Sequence, residues 1–121
     1  MNFERIKSIQ HQFSESETNA ILCVLPLCSL QGPVTPQIRK GQFDAYEKLV
    51  RRSDKFKSLE FSVIAASVEY SIQLMSGNAP VLAEKVHRDT EWFEEIKSFF
   101  FVLNSLYAQF RRISDELDSG H

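Results

Sequence analysis

The placement of helix-breaking residues constrains this chain more than any other feature of its sequence. Every glycine and proline lies within residues 26–41, within residues 77–80 or at position 120, so residues 42–76 and 81–119 contain neither. β-Strands are about five or six residues long and need turns between them, whereas helices continue through long uninterrupted segments. The sequence therefore predicts an all-α protein and argues against an all-β or β-α-β architecture.

The composition is that of one globular domain. The chain has 121 residues, of which 43% are hydrophobic and 25% are charged, and a chain of this size buries about two thirds of its unfolded surface. Its net charge is -2, so binding to nucleic acid or to an anionic membrane would require a local basic patch. We expect a single helical domain over residues 1–121.

The two cysteines lie in the apolar segment 20–30. Cys23 and Cys28 are five residues apart and would point to different faces of a helix, so a disulfide between them is poorly placed. The segment is also much shorter than the roughly 20 residues that a membrane helix needs. We interpret it as a core helix, and we expect a cytoplasmic protein with reduced thiols and no membrane contact.

Hydrophobic periodicity divides the first two thirds of the chain into helices. It predicts a first amphipathic helix over residues 2–13, a second that begins with the Ser14/Glu17 capping box, and a third that begins at Thr35. A change of hydrophobic phase predicts a helix junction near residues 54–58, and residues 59–75 are apolar enough to form the central helix. The third helix is expected to bury one apolar stripe, which consists of Phe43, Tyr46, Leu49, Val50 and Phe56.

The C-terminal third carries a wide aromatic stripe. A single helix over residues 79–117 would be roughly 58 Å long, longer than a globule of this size. Either Asp89 caps a new helix, or the helix projects and needs a partner. We predict a compact bundle of four to six helices with a long aromatic C-terminal helix, whose stripe contains Phe93, Ile96, Phe100, Leu103, Tyr107 and Phe110.

The strongest candidate interface lies at residues 99–102. Phe99 belongs to the inward stripe, whereas Phe101 and Val102 fall on the polar back of the helix, where exposed apolar surface is unfavourable. Either another helix of the same chain covers them or a second subunit does. We predict a partner interface that contains Phe99, Phe101 and Val102, in a homodimer or with another protein.

A second candidate surface is basic. Residues 36–57 contain seven basic side chains against three acidic ones. The sequence predicts a basic helix around residues 48–55 that could contact RNA or DNA, or alternatively an ordinary solvated face with i,i+4 ion pairs. The residues proposed to contact an anion or nucleic acid are Lys48, Arg51, Arg52, Lys55, Arg39 and Lys40.

Two segments carry a resemblance to a known family. Residues 35–40 (TPQIRK) and 92–112 (WFEEIKSFFFVLNSLYAQFRR) resemble the small helical subunits of type III CRISPR effector complexes. The resemblance implies a helical subunit that lines bound RNA. The chain departs from the family in its middle, where Ile72 and Gln73 stand near the place of an expected Ala-Gly-Arg.

No catalytic motif is found in the sequence. Glu60, Glu69 and Tyr70 are the polar groups to inspect on the central helix, and an edge or hydrogen-bonded position is the simpler interpretation for Glu69 and Tyr70. Glu84, His87 and Glu91 share one helix face, but a di-iron bundle needs two Glu-x-x-His motifs and the chain has one.

The sequence therefore predicts a non-catalytic interaction protein without cofactor, metal or small-molecule substrate. It would act through a homo-oligomeric or partner interface on the C-terminal aromatic helix. The alternative is a nucleic-acid-binding subunit of a larger complex.

Overall fold

The computed structural model describes residue 3, residues 6–31 and residues 33–119. This part of the chain contains six α-helices, one 3₁₀ helix and a two-stranded antiparallel sheet, so the predicted helical class is confirmed. The helices are α1 (Glu15–Val24), the 3₁₀ helix (Leu25–Ser29), α2 (Pro36–Val50), α3 (Ser58–Met75), α4 (Pro80–Val86), α5 (Thr90–Ser98) and α6 (Phe100–Ser119). The strands are β1 (Ser8–Gln10) and β2 (Lys55–Lys57).

The predicted N-terminal helix is wrong where the structure describes it. Residues 8–10 form β1, in which buried Ile9 lies opposite buried Phe56 of β2. Each of these residues is flanked by exposed polar neighbours, which is the period-two pattern of a strand with one buried face. The spacing of Ile6, Ile9 and Phe13 also fits a helix, and the pairing with β2, which is distant in sequence, selects the strand instead. Positions 2, 4 and 5 of the predicted helix lie outside the described residues.

The predicted helix starts are confirmed by their caps. The Ser14 hydroxyl accepts a hydrogen bond from the Glu17 N–H at 3.1 Å, and the Glu17 carboxylate accepts one from the Ser14 N–H at 2.8 Å. The Thr35 hydroxyl accepts the Ile38 N–H at 3.1 Å. Side-chain oxygens at these positions bond amides that lack a partner within the helix.

The junction predicted between the third helix and the central helix is also confirmed. α2 ends at Val50, and β2 separates it from α3. α3 is the central helix, against which α1, α2, α6 and the 3₁₀ helix pack. Its Phe61 ring lies 5.0 Å from the ring of Phe3 and 5.2 Å from the ring of Phe110, so this helix is surrounded by apolar neighbours.

The C-terminal aromatic stripe is divided between α5 and α6. Asp89 caps α5, as predicted, because its carboxylate accepts the Trp92 N–H at 3.0 Å. A second break at Phe99 was not predicted. There the backbone leaves the helical region, with φ -97° and ψ 16°. α6 is therefore a separate helix, roughly 30 Å long, and does not project as part of one longer helix.

Candidate functional site

Phe101 is the most exposed large apolar side chain in the described part of the protein. It lies in the first turn of α6 and is 84% exposed, and its neighbour Phe100 is 46% exposed. The two rings contact edge to face, with their centroids 5.4 Å apart. Val102 and Phe99 are half-buried against the core. We call Phe100, Phe101 and Val102 the Phe101 surface, and no helix of the described chain covers Phe101.

The start of α1 forms one rim of the Phe101 surface. A shallow groove of about 330 Å³ lies between Phe101 and Val102 on one side and Ser14, Ser16 and Glu17 on the other. Gln109 of α6 donates a hydrogen bond to the Glu17 carboxylate at 3.0 Å, which ties α6 to α1.

The Glu17 carboxylate stays ionised at this rim. Its partial burial by itself raises its pKa, but hydrogen bonds from Ser14 and Gln109 bring the pKa below its usual value. Hydrogen bonds to a carboxylate favour its charged form. The Phe101 surface therefore carries a fixed negative charge beside its apolar side chains.

α2 has apolar residues on two opposite faces, which corrects the single buried stripe that was expected. Leu49 and Phe56 are buried, but three members of that stripe face outward. We call these three the outer α2 stripe. They are Phe43, which is 62% exposed, Tyr46, which is 52% exposed, and Val50, which is 55% exposed.

The inner face of α2 is formed by small residues. Gly41 and Ala45 are buried together with Leu49, at successive spacings of four, which places them on one side of the helix. A Cβ atom at Gly41 would lie 3.0 Å from the Leu59 Cγ and 3.2 Å from the Val63 Cγ2. α3 therefore approaches the small side of α2, and the large side chains remain outside.

A groove runs along the outer α2 stripe. It has a volume of about 570 Å³ and lies between α2 and the segment formed by α1 and the 3₁₀ helix. Gln42 crosses it and donates hydrogen bonds to the Leu25 carbonyl at 3.2 Å and to the Ser29 hydroxyl at 3.0 Å. We call it the α2 groove, and its lining residues are Leu22, Leu25, Pro26, Ser29, Arg39, Gln42, Phe43 and Tyr46.

The α2 groove carries one unpaired cation. Arg39 lines the groove, is exposed and forms no ion pair with any described residue. Lys40, the next residue, is paired with Asp44 at 3.1 Å. The groove is thus apolar in its walls and basic at one edge.

The predicted basic helix around residues 48–55 is not continuous. α2 ends at Val50, Arg52 has a positive φ of 58°, and Lys55 lies in β2. The Ser53 N–H donates to the Lys48 carbonyl at 2.9 Å, which closes a turn at this point. The side chains of Lys48, Arg51, Arg52 and Lys55, which would share one face of a continuous helix, therefore do not lie on a common helix face.

Two of the basic candidates are paired within the protein. Lys48 contacts the Glu60 carboxylate, with 2.6 Å between the Nζ and Oε1 atoms, and Arg52 lies 3.6 Å from Glu15. Arg51 and Lys55 are exposed and have no ion pair within the described residues. Lys55 lies on the exposed side of β2 together with Lys57, and Arg51 lies at the end of α2, before the turn that leads to this strand.

The thiol and phenol groups of the core are protonated at neutral pH. Burial, with a smaller contribution from Glu95, raises the pKa of Cys23 to about 12. Burial also raises the pKa values of Cys28 and Tyr70. A thiol is nucleophilic as its thiolate, so these cysteines act as packing groups.

The described residues were also compared with the requirements of a metal site and of a membrane-spanning helix. Among the described residues, which include Glu84, His87 and Glu91, no three His, Cys, Asp or Glu side chains are grouped to hold a metal ion. No helix of the described chain combines the length and the hydropathy that crossing a membrane requires.

The chain matches no protein-family model, no curated protein and no solved structure in comparisons with each of these. The resemblance of residues 35–40 and 92–112 to the CRISPR subunits therefore depends on those residues alone.

Phe101 is among the interface residues that the sequence predicts, whereas the exposure of the outer α2 stripe was not predicted. The signal for the latter was the Gly41, Ala45 and Leu49 spacing, which marks the small side of α2 as the side that packs.

Proposed function

We propose that this protein is a non-catalytic binding protein that self-associates through the Phe101 surface. The observation that carries the proposal is the 84% exposure of Phe101 beside a half-exposed Phe100. Burying one phenylalanine side chain contributes about 1.5–3 kcal/mol, and aromatic residues at the centre of an interface commonly dominate binding. The ionised Glu17 at the rim would orient the partner.

We also propose that the protein is cytoplasmic. Cys23 and Cys28 are both free and half-buried, and reduced thiols are typical of the cytoplasm. Self-association there would join copies through helix faces and would need no cofactor.

The first prediction tests the Phe101 surface directly. Phe101→Glu should convert an oligomer to a monomer, because it places a charge at the centre of the contact next to the acidic rim. Phe101 is exposed in the single chain, so the circular dichroism spectrum should not change. The measurement is the molar mass from size-exclusion chromatography with light scattering, over a range of protein concentrations.

Val81→Glu is the matched control, since Val81 is also an exposed apolar residue in a first helical turn, at 64%, but lies on α4. This variant should keep the mass of the wild type. A wild-type protein that is monomeric at every concentration would contradict the proposal.

A second candidate function is binding of single-stranded RNA through the exposed cations near β2. The observation that favours it is that Arg51, Lys55 and Lys57 form no ion pair within the described residues. We predict salt-dependent binding near 50 mM salt that weakens steeply toward 200 mM, as phosphate contacts do.

The double variant Arg51→Glu/Lys55→Glu should abolish that binding, measured by fluorescence anisotropy of a labelled RNA. Arg88→Glu, which reverses an exposed charge outside this patch, should have little effect. Equal losses in the two variants would show non-specific attraction, and no binding at low salt would exclude this candidate.

A further inference from the structure

We infer that the protein associates head to tail, with the Phe101 surface of one copy seated in the α2 groove of the next. This inference rests on the proposed self-association and names the surface that Phe101 meets. It accounts for the Phe101 surface and the α2 groove with one occupant, a second copy of the same chain.

The two helices that carry these surfaces, α2 and α6, pack on opposite sides of α3. Leu59 and Val63 of α3 face α2, at Gly41, whereas Phe61 contacts Phe110 of α6. Phe61 is two residues from each of them, which is about 200° around a helix. Within one chain the α2 groove does not contain Phe101, which is 84% exposed, but a second copy can bring the two surfaces together.

The α2 groove is large enough to hold the side chain that projects from the Phe101 surface. Phe101 projects from the first turn of α6, and the α2 groove is a concave apolar site of about 570 Å³ between Pro26 and Tyr46. Pockets that enclose apolar groups in proteins have volumes of roughly 300–1,000 Å³, so the groove is large enough for an aromatic side chain. Phe43 and Tyr46 would contact its ring.

The charges of the two surfaces are complementary. Arg39 lines the α2 groove without an ion pair among the described residues, and the ionised Glu17 lines the rim beside Phe101. The wider segments follow the same division, since residues 36–57 have seven basic side chains against three acidic ones, and residues 84–118 have five against eight. Opposite potentials favour this pairing and fix its orientation.

A symmetric contact between two Phe101 surfaces satisfies these charges less well. It would place the Glu17 carboxylates of the two copies at the same interface, and it would leave the α2 groove and Arg39 exposed to water. Like charges across an interface are unfavourable. The head-to-tail contact uses two different surfaces, so it produces open chains or closed rings of copies.

The test uses two variants, each of which disables one surface. Phe101→Glu loses the projecting side chain and keeps the groove, whereas Phe43→Glu blocks the groove and keeps Phe101. Each variant alone should be monomeric. An equimolar mixture should form a one-to-one complex of twice the 14.0 kDa mass of the chain, and nothing larger, because each complex has one intact contact.

The outcomes separate this inference from the proposed function. If Phe43→Glu keeps the wild-type oligomer and Phe101→Glu is monomeric, the contact is symmetric. In that case the head-to-tail inference fails and the proposed self-association holds. If both variants are monomeric and the mixture stays monomeric, the head-to-tail contact is wrong. A monomeric wild type contradicts both. Phe43→Ala repeats the test if Phe43→Glu does not fold, as judged by its circular dichroism.

Discussion

Glu60 shows how one buried carboxylate can connect two helices and a strand. It is 3% exposed on α3 and accepts a hydrogen bond from the Lys57 N–H at 2.8 Å, at the end of β2. Its second interaction is with Lys48 of α2. The sequence marked Glu60 as a group to inspect for catalysis and Lys48 as a group for nucleic-acid contact. In the structure they are partners, so each charge is compensated within the fold.

We predict that Lys48→Met destabilises the protein because it leaves the Glu60 charge buried without its cation. Breaking a buried pair costs about 3–5 kcal/mol. Lys48 is partly exposed, and water screens part of the charge, so we expect the free energy of unfolding to fall by roughly 2 kcal/mol. Urea denaturation of the two proteins measures this difference.

Lys40→Met serves as the control for the Lys48 prediction, since it removes the exposed Lys40–Asp44 pair from the same helix. Exposed pairs contribute about 0–1 kcal/mol. Equal effects of the two substitutions would mean that the Lys48–Glu60 pair has no special structural role.

At the scale of the elements, the sequence predicted the bounds of α2 correctly but predicted the wrong buried face for this helix. Its start at Thr35 and its end before residue 54 follow from caps and hydrophobic phase. Its orientation depends on Gly41 and Ala45, which let α3 approach closely. Periodicity counts large apolar residues and gives no weight to small ones, so it assigned Phe43, Tyr46 and Val50 to the core. In the structure, α3 packs closely against α2 at Gly41, so the small residues of α2 face the core and the large ones face outward.

We predict that Gly41→Leu destabilises the α2–α3 contact. A Cβ atom already lies 3.0 Å from the Leu59 side chain, so the larger side chain has to push the helices apart. Overpacking of this kind costs about 1–3 kcal/mol, against about 1 kcal/mol gained by replacing a helical glycine. Thermal unfolding should therefore show a lower Tm.

Gln37→Leu places the same side chain on an exposed position of α2, and its Tm should stay near that of the wild type. If Gly41→Leu is at least as stable as the wild type, the inner face of α2 is not tightly packed.

At the scale of the whole molecule, the central helix α3 separates the two helices that carry the proposed contact surfaces. The helices α2 and α6, which carry the α2 groove and the Phe101 surface, pack on opposite sides of α3. In the proposed head-to-tail association, each copy would contact two neighbours, one through each of these helices. The proposed association should weaken as salt concentration rises, since charges at the rims of an interface are screened, while the apolar contacts of Phe101 are retained.

The sequence by itself determined the helical class, the main helix junctions and the position of Phe101 on the polar side of its helix. These depend on local properties, namely breakers, caps and the periodicity of one helix, which neighbouring residues specify without knowledge of the rest of the chain. Only the tertiary structure decided the β1–β2 pairing, the break at Phe99, the outward face of α2 and the pairing of Lys48 with Glu60. Each of these depends on residues that are distant in sequence, and packing in three dimensions selects among local patterns that are equally acceptable.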